Sequence, residues 1–142
     1  MASSDLNELF NAARSFAELM LAKEGEFIPF GVSMGLNNQV AMVAGDVGCE
    51  HPASADVISL LQSSFQISAI TEGSIRAAGV CLDVRIVPPG SDTKSDAICV
   101  RLAHISGEAI EVYVPYSLAG PVGYSYGKVF AAAASEFRLV EA

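Results

Sequence analysis

The feature that most constrains this fold is a change in apolar spacing at residues 26–31, with the sequence Glu-Phe-Ile-Pro-Phe-Gly. Before this segment, apolar side chains recur every three or four residues, which is typical of an amphipathic helix. After it, several segments alternate apolar and polar side chains at every second residue, which is typical of strands. The spacing therefore predicts one helix followed by a largely antiparallel set of strands.

The first helix is predicted to begin at Asp5, because Asp5 and Glu8 have the spacing of a capping box. One side of this helix is apolar and is expected to pack against a sheet or a partner. Its members are Leu6, Leu9, Phe10, Ala13, Phe16, Ala17 and Met20.

A strand pair and a second helix are predicted next. Residues 27–34 and 40–44 flank Asn37 and Asn38, and asparagine tolerates the left-handed backbone of a tight hairpin. The second helix is expected from Ser54, with Val57, Leu61 and Phe65 on its apolar face, and is expected to end at Gly73.

Three further strands are predicted from Ile75 onward, with the even-numbered side chains facing the helices. To keep these side chains on one face, the first hairpin should place Leu82 opposite Leu102. In the second hairpin, a three-residue turn over residues 105–107 with a left-handed Gly107 should place Val100 opposite Val112. For the tail we expect a loop and one more edge strand near residues 126–130.

These elements predict a single α+β domain spanning residues 1–142. The expected architecture is a two-layer sandwich in which an antiparallel sheet of five to six strands carries two helices on one face. The expected order is α-β-β-α-β-β-β.

Composition bears on partners. Apolar residues make up 51% of the chain, which leaves apolar surface that a second copy can bury, so we expect a homodimer. The net charge of −8 disfavours nucleic acid and anionic membranes, although it leaves a basic protein partner open. Without a signal-like N-terminus or a long apolar segment, we expect a cytoplasmic protein with reduced cysteines.

One loop holds the candidate catalytic residues Asp46, Cys49 and His51. A small cysteine-dependent hydrolase or transferase would need His51 to activate Cys49. His51 is only two residues away and precedes Pro52, which restricts its backbone, so a polar loop that enters the helix is the favoured interpretation. The chain lacks the motifs of a metal or nucleotide site, and no metal or cofactor is expected.

The candidate binding residues are Arg101, Glu111 and Tyr113, which share one parity and are predicted on the open face of the sheet. Arg101 is expected between Asp83 and Glu111. Such a cross-strand ladder is typical of strand pairing and solubility, and Tyr113 is the member expected to face outward as part of a contact patch.

The sequence contains an FxPFG segment (Phe27, Pro29, Phe30 and Gly31), a His51-Pro52 pair before the second helix and a Tyr126-Gly127 pair near its end. In these short motifs the chain resembles small stand-alone bacterial proteins without an assigned function. In layout it is also similar to the α/β sandwich of type III secretion chaperones, which are acidic homodimers that bind extended segments of effectors. This likeness implies a non-catalytic, chaperone-like protein-binding module.

Overall fold

The computed structural model describes residues 2–45, 53–118, 123–133 and 137–140. This part of the chain contains two α-helices and seven strands. In chain order these are α1 (Ala2–Glu24), β1 (Phe30–Gly35), β2 (Val40–Ala44), α2 (Ser54–Gln66), β3 (Ile75–Ile86), β4 (Ser95–His104), β5 (Ala109–Leu118), β6 (Tyr124–Tyr126) and β7 (Phe130–Ala133), with a π-helical turn over Ile67–Thr71. The α+β class and the order of the predicted helices and strands are confirmed.

Helix α1 buries the predicted apolar stripe. Leu9, Ala13 and Ala17 are fully buried, and Phe16 packs edge-on against Phe30 with ring centroids 4.8 Å apart. The helix begins at Ala2, however, and Asp5 is not its cap. The Asp5 side chain is buried and is bonded to residues of the sheet instead.

The two tight hairpins share one turn geometry. In β1–β2 the Gly35 N–H donates to the Gln39 carbonyl, and Asn38 has a φ of 70°. In β4–β5 the His104 N–H donates to the Glu108 carbonyl, and Gly107 has a φ of 100°. Each is a three-residue loop that ends in a left-handed residue, so both predicted hairpins are confirmed.

The strands form one antiparallel sheet in the order β2-β1-β3-β4-β5-β6, and β7 also pairs with β5. The two helices lie on opposite faces of this sheet. The core beneath α1 contains Cys81 and Val100, whereas the core beneath α2 contains the adjacent Leu82 and Cys99. This arrangement corrects the expected two-layer sandwich, because the sheet is covered on both faces.

The register of β3 against β4 also differs from the prediction. Leu82 lies opposite Cys99 and not opposite Leu102, which is a shift of three residues along β4. Side chains alternate between faces with a period of two, so an odd shift sends the even positions of β3 and β4 to opposite faces. The prediction that the even positions share one buried face is therefore wrong for these strands. The β4–β5 register, with Val100 opposite Val112, is confirmed.

Strand β5 carries two short partners on its outer side. Tyr116 pairs with Tyr126 of β6, and Tyr113 pairs with Phe130 of β7. Between them lies Pro115, which has no N–H to donate and whose carbonyl accepts from the Gly127 N–H at 2.8 Å. The single edge strand predicted over 126–130 is thus two strands with a break at residues 127–129.

None of the helices in the described part of the chain has the length and apolar character that a membrane crossing requires.

Candidate functional site

The three predicted binding residues lie together on the sheet. Arg101 is directly opposite Glu111, and the Arg101 Nε atom lies 3.7 Å from Glu111 Oε2. The Tyr113 hydroxyl donates to Glu111 Oε1 at 2.7 Å, and Arg101 Nη1 donates to Gln62 of α2 at 3.0 Å. The pattern therefore predicted the contact correctly, and Gln62 is the partner it missed.

This cluster faces inward and not toward open solvent. Glu111 is only 8% exposed, and the Tyr113 ring is half-buried and stacks on Phe130 with centroids 5.1 Å apart. Burial and the bond to Glu111 raise the pKa of Tyr113, and burial raises the pKa of the neighbouring Cys99 to about 12. These contacts join α2 to β4 and β5, but the buried Nε atom of Arg101 has no hydrogen-bond partner, because Glu111 Oε2 is 3.7 Å away. A role for these residues in binding stays a prediction.

Asp83 does not face Arg101, which contradicts the expected ladder. Arg101 lies opposite Val80, whereas Asp83 lies opposite Ile98. The Asp83 carboxylate accepts a hydrogen bond of 2.7 Å from the Tyr116 hydroxyl. Burial raises the pKa of Asp83, and the bond from Tyr116 opposes that rise.

A second polar cluster joins three distant parts of the chain. Arg76 donates from Nε and Nη2 to the two carboxylate oxygens of Asp5, at 3.0 and 3.1 Å. His104 Nε2 lies 2.9 Å from Asp5 Oδ2. His104 is only 9% exposed, although it is the last residue of β4 and lies beside the β4–β5 turn. Sequence spacing carries no signal for this cluster, because its members are far apart in the chain.

Both ring nitrogens of His104 are occupied. The Ser106 N–H donates to His104 Nδ1 at 3.0 Å, so Nδ1 must be an acceptor and the proton is assigned to Nε2, which donates to Asp5. A general base needs a free nitrogen that faces a substrate. Asp5 and His104 are the residue types of an acid–histidine dyad, but neither ring nitrogen of His104 is available to a substrate. The pair therefore has a structural role.

The proposed catalytic residues Asp46, Cys49 and His51 lie outside the described residues. Of the described cysteines, Cys81 and Cys99 are free and buried, and burial raises the pKa of both thiols, which opposes nucleophilic reactivity. Within the described ranges, no three His, Cys, Asp or Glu side chains are grouped so as to hold a metal ion.

An accessible groove lies beside α1 on its face of the sheet. Its volume is about 340 Å³, and α1 forms one wall while β4 and β5 form the floor. Six of the lining residues are apolar, and Asn7 and Glu108 are the polar ones. The apolar members are Leu6, Phe10, Leu102, Ile110, Val112 and Val129. The groove exists because α1 packs against β1, β3 and β4, which leaves the apolar side chains of β5 only half covered.

Comparison with known proteins finds no match, whether to a protein-family model, to a curated protein or to a solved structure. The evidence for the candidate site is therefore its geometry alone.

Proposed function

We propose that this chain is a non-catalytic, chaperone-like protein-binding module that acts as a homodimer and takes up an apolar segment of its partner in the groove beside α1. The observation that carries the proposal is the contrast between this groove and the polar clusters. The groove exposes half-buried apolar side chains of β5, whereas Asp5 is hydrogen-bonded to Arg76 and His104, and Glu111 is buried and accepts a bond from Tyr113.

The chemistry of the groove supports an apolar segment with basic neighbours as its occupant. The floor side chains Ile110 and Val112 offer no hydrogen bonds, so specificity there comes from shape and apolar contact. Exposed Glu108 lies at the groove, and the chain carries 16 acidic against 8 basic residues. A partner with Lys or Arg beside its apolar residues is therefore favoured electrostatically.

The dimer and the location are parts of the same proposal. A composition of 51% apolar residues supports burial of further surface by self-association. Cys81 and Cys99 project to opposite faces of the sheet and are both free, which suits a reducing cytoplasm.

The test is selection of apolar and basic peptides from a displayed random-peptide library, followed by calorimetry on the wild-type protein. Ile110→Asp places a charge on the groove floor and is expected to weaken peptide binding by about tenfold or more, because an apolar contact of a few kcal/mol is lost. Val129 also lines the groove, and Val129→Asp is expected to weaken peptide binding in the same way.

Ile105→Asp is the matched control, since Ile105 is exposed in the β4–β5 turn and does not line the groove. It should retain wild-type affinity. Selected peptides that bind both groove variants as tightly as the wild type would refute the groove as the site, and failure to select any binding peptide would count against the protein-binding function itself.

A further inference from the structure

The outer edge of β2 is open among the described residues, because β1 is the only described strand that pairs with it. The Gly35–Gln39 bond sets the phase of the β1–β2 ladder. In an antiparallel pair, the residues that exchange bonds alternate with residues whose N–H and C=O point away. Ala41 and Val43 therefore bond to β1, while Val40, Met42 and Ala44 direct their backbone groups outward.

The chemistry of this edge is unusual for so acidic a chain. Residues 27–45 contain no charged side chain, although the whole chain carries 24 charged residues, 16 acidic and 8 basic. Natural edge strands are commonly protected by charges, prolines or bulges. Strand β2 contains only Val, Ala and Met, with no proline, and its pairing with β1 is regular throughout.

We propose that the partner of this edge is a second copy of the chain, with two β2 strands paired antiparallel about a two-fold axis at Met42. In this register Met42 lies opposite Met42, and Val40 lies opposite Ala44. Each of these residues presents its backbone groups outward, so every pair exchanges two hydrogen bonds. The inference rests on the homodimer of the proposed function and names the surface that forms it.

The same register suits the side chains. Met42, which is 44% exposed, lies on the α1 side of the sheet and meets its own copy, and Ala41 meets Val43 on the α2 side. All the facing side chains are apolar. Two identical copies with a net charge of −8 repel one another, and an uncharged strand keeps like charges from lying directly across the axis. A second copy is favoured over a foreign strand because the outward-facing residues Val40, Met42 and Ala44 are symmetric about Met42, so each outward backbone group finds its partner in the other copy.

The test exploits the self-pairing of residue 42. Met42→Asp and Met42→Lys each place like charges opposite one another and are expected to raise the dimer Kd by about tenfold or more in sedimentation analysis. An equimolar mixture of the two variants should restore association as a heterodimer, because Asp then faces Lys. Leu118→Asp, at an exposed position 68% accessible at the end of β5, is the control and should stay dimeric.

Hydrogen exchange on the wild type provides a measurement that does not depend on variants. The amides of Val40, Met42 and Ala44 should gain protection as the protein concentration rises, whereas those of Ala41 and Val43 are protected at all concentrations. A wild-type dimer with unprotected Met42 and Ala44, or variants that dimerise normally, would overturn the β2 interface and leave the homodimer standing. A wild type that stays monomeric up to high micromolar concentration would overturn both.

Discussion

At the scale of single residues, the Asp5 side chain joins parts of the chain that lie far apart in sequence. It accepts two bonds from Arg76 and one from His104, so it joins the first turns of α1 to β3 and β4. Arg76 also donates to the Leu36 carbonyl at 3.3 Å, which adds the β1–β2 turn to the cluster. The Asp5–Arg76 pair therefore connects α1, β3, β4 and the β1–β2 turn.

Replacing this carboxylate tests the cluster. We expect Asp5→Asn to reduce the free energy of unfolding by about 1.5–3 kcal/mol at pH 7, because bonds to a charged acceptor are lost. The bonds from Arg76 lower the pKa of Asp5 from 3.8 to about 2 in the folded protein. The stabilisation by Asp5 is therefore complete above about pH 4 and is lost as the pH falls through about 2. Urea unfolding at several pH values measures the difference between the two proteins.

Glu8→Gln is the control for that comparison, since Glu8 is an exposed acid on the same helix. It should change stability by no more than about 0.5 kcal/mol. A wild-type minus Asp5→Asn difference that stays constant from pH 7 to pH 2 would contradict the assignment.

At the scale of elements, the close contact between α2 and β1 depends on Gly31. A Cβ atom at this position would lie 2.5 Å from Phe65 Cζ and 3.3 Å from Leu61 Cδ2. The absence of a side chain on Gly31 lets the Phe65 ring lie directly on the backbone of β1. The Phe-Ile-Pro-Phe-Gly segment thus has a packing role in this fold.

We expect Gly31→Ala to destabilise the protein by about 1–3 kcal/mol through overpacking. Phe65→Leu in the same chain should recover part of that loss, because the smaller side chain leaves room for the new methyl group. Gly127→Ala is the matched control, since its Cβ would meet Pro115 at an ordinary 3.4 Å. Denaturant unfolding is measured for five proteins, which are the wild type, Gly31→Ala, Phe65→Leu, the double variant and Gly127→Ala. Additive effects of the residue 31 and residue 65 changes would refute the contact.

How well the register of two paired strands can be predicted from sequence depends on the length of the loop that joins them. The β4–β5 register was predictable because Gly107 marks the left-handed position of a three-residue turn. The β3–β4 loop spans residues 87–94, and a loop of this length allows several registers. The β3–β4 register could therefore be predicted only from the alternation of apolar and polar side chains. Residues 77–82 of β3 are buried without interruption, and such apolar runs indicate a strand covered on both faces. Only the three-dimensional fold brings Asp5 to His104, or α1 beside β5 to form the groove.

At the scale of the whole molecule, one sheet separates two cores. Cys81 lies in the core beneath α1 and Cys99 in the core beneath α2, and both thiols are essentially inaccessible. They lie on neighbouring central strands, since Cys81 pairs with Val100, the residue after Cys99. Opening either core enough to expose its thiol therefore disturbs the strands that support the other core.

We expect a Cys49→Ala variant to show no rapidly reacting thiol when native and two after full unfolding. At low urea concentration Cys81 and Cys99 should react at the same rate, because both thiols become accessible only when the whole domain unfolds. Mass spectrometry after pulse alkylation resolves the two sites. A fast reaction of Cys99 alone would show that the α2 layer opens separately.

The proline in the middle of β5 has a consequence for growth of the sheet. Beyond Pro115, the outer rim of the molecule consists of a three-residue strand and a four-residue strand that are out of step by one residue. A regular strand from another molecule cannot pair with both β6 and β7, so this edge is poorly suited to strand addition. The regular edge at β2 is better suited to it. When β2 of one copy pairs with β2 of the other, the edge best suited to strand addition is occupied in both copies. In the proposed dimer, association therefore ends at a closed pair, because the rim interrupted at Pro115 is a poor surface for adding a further strand.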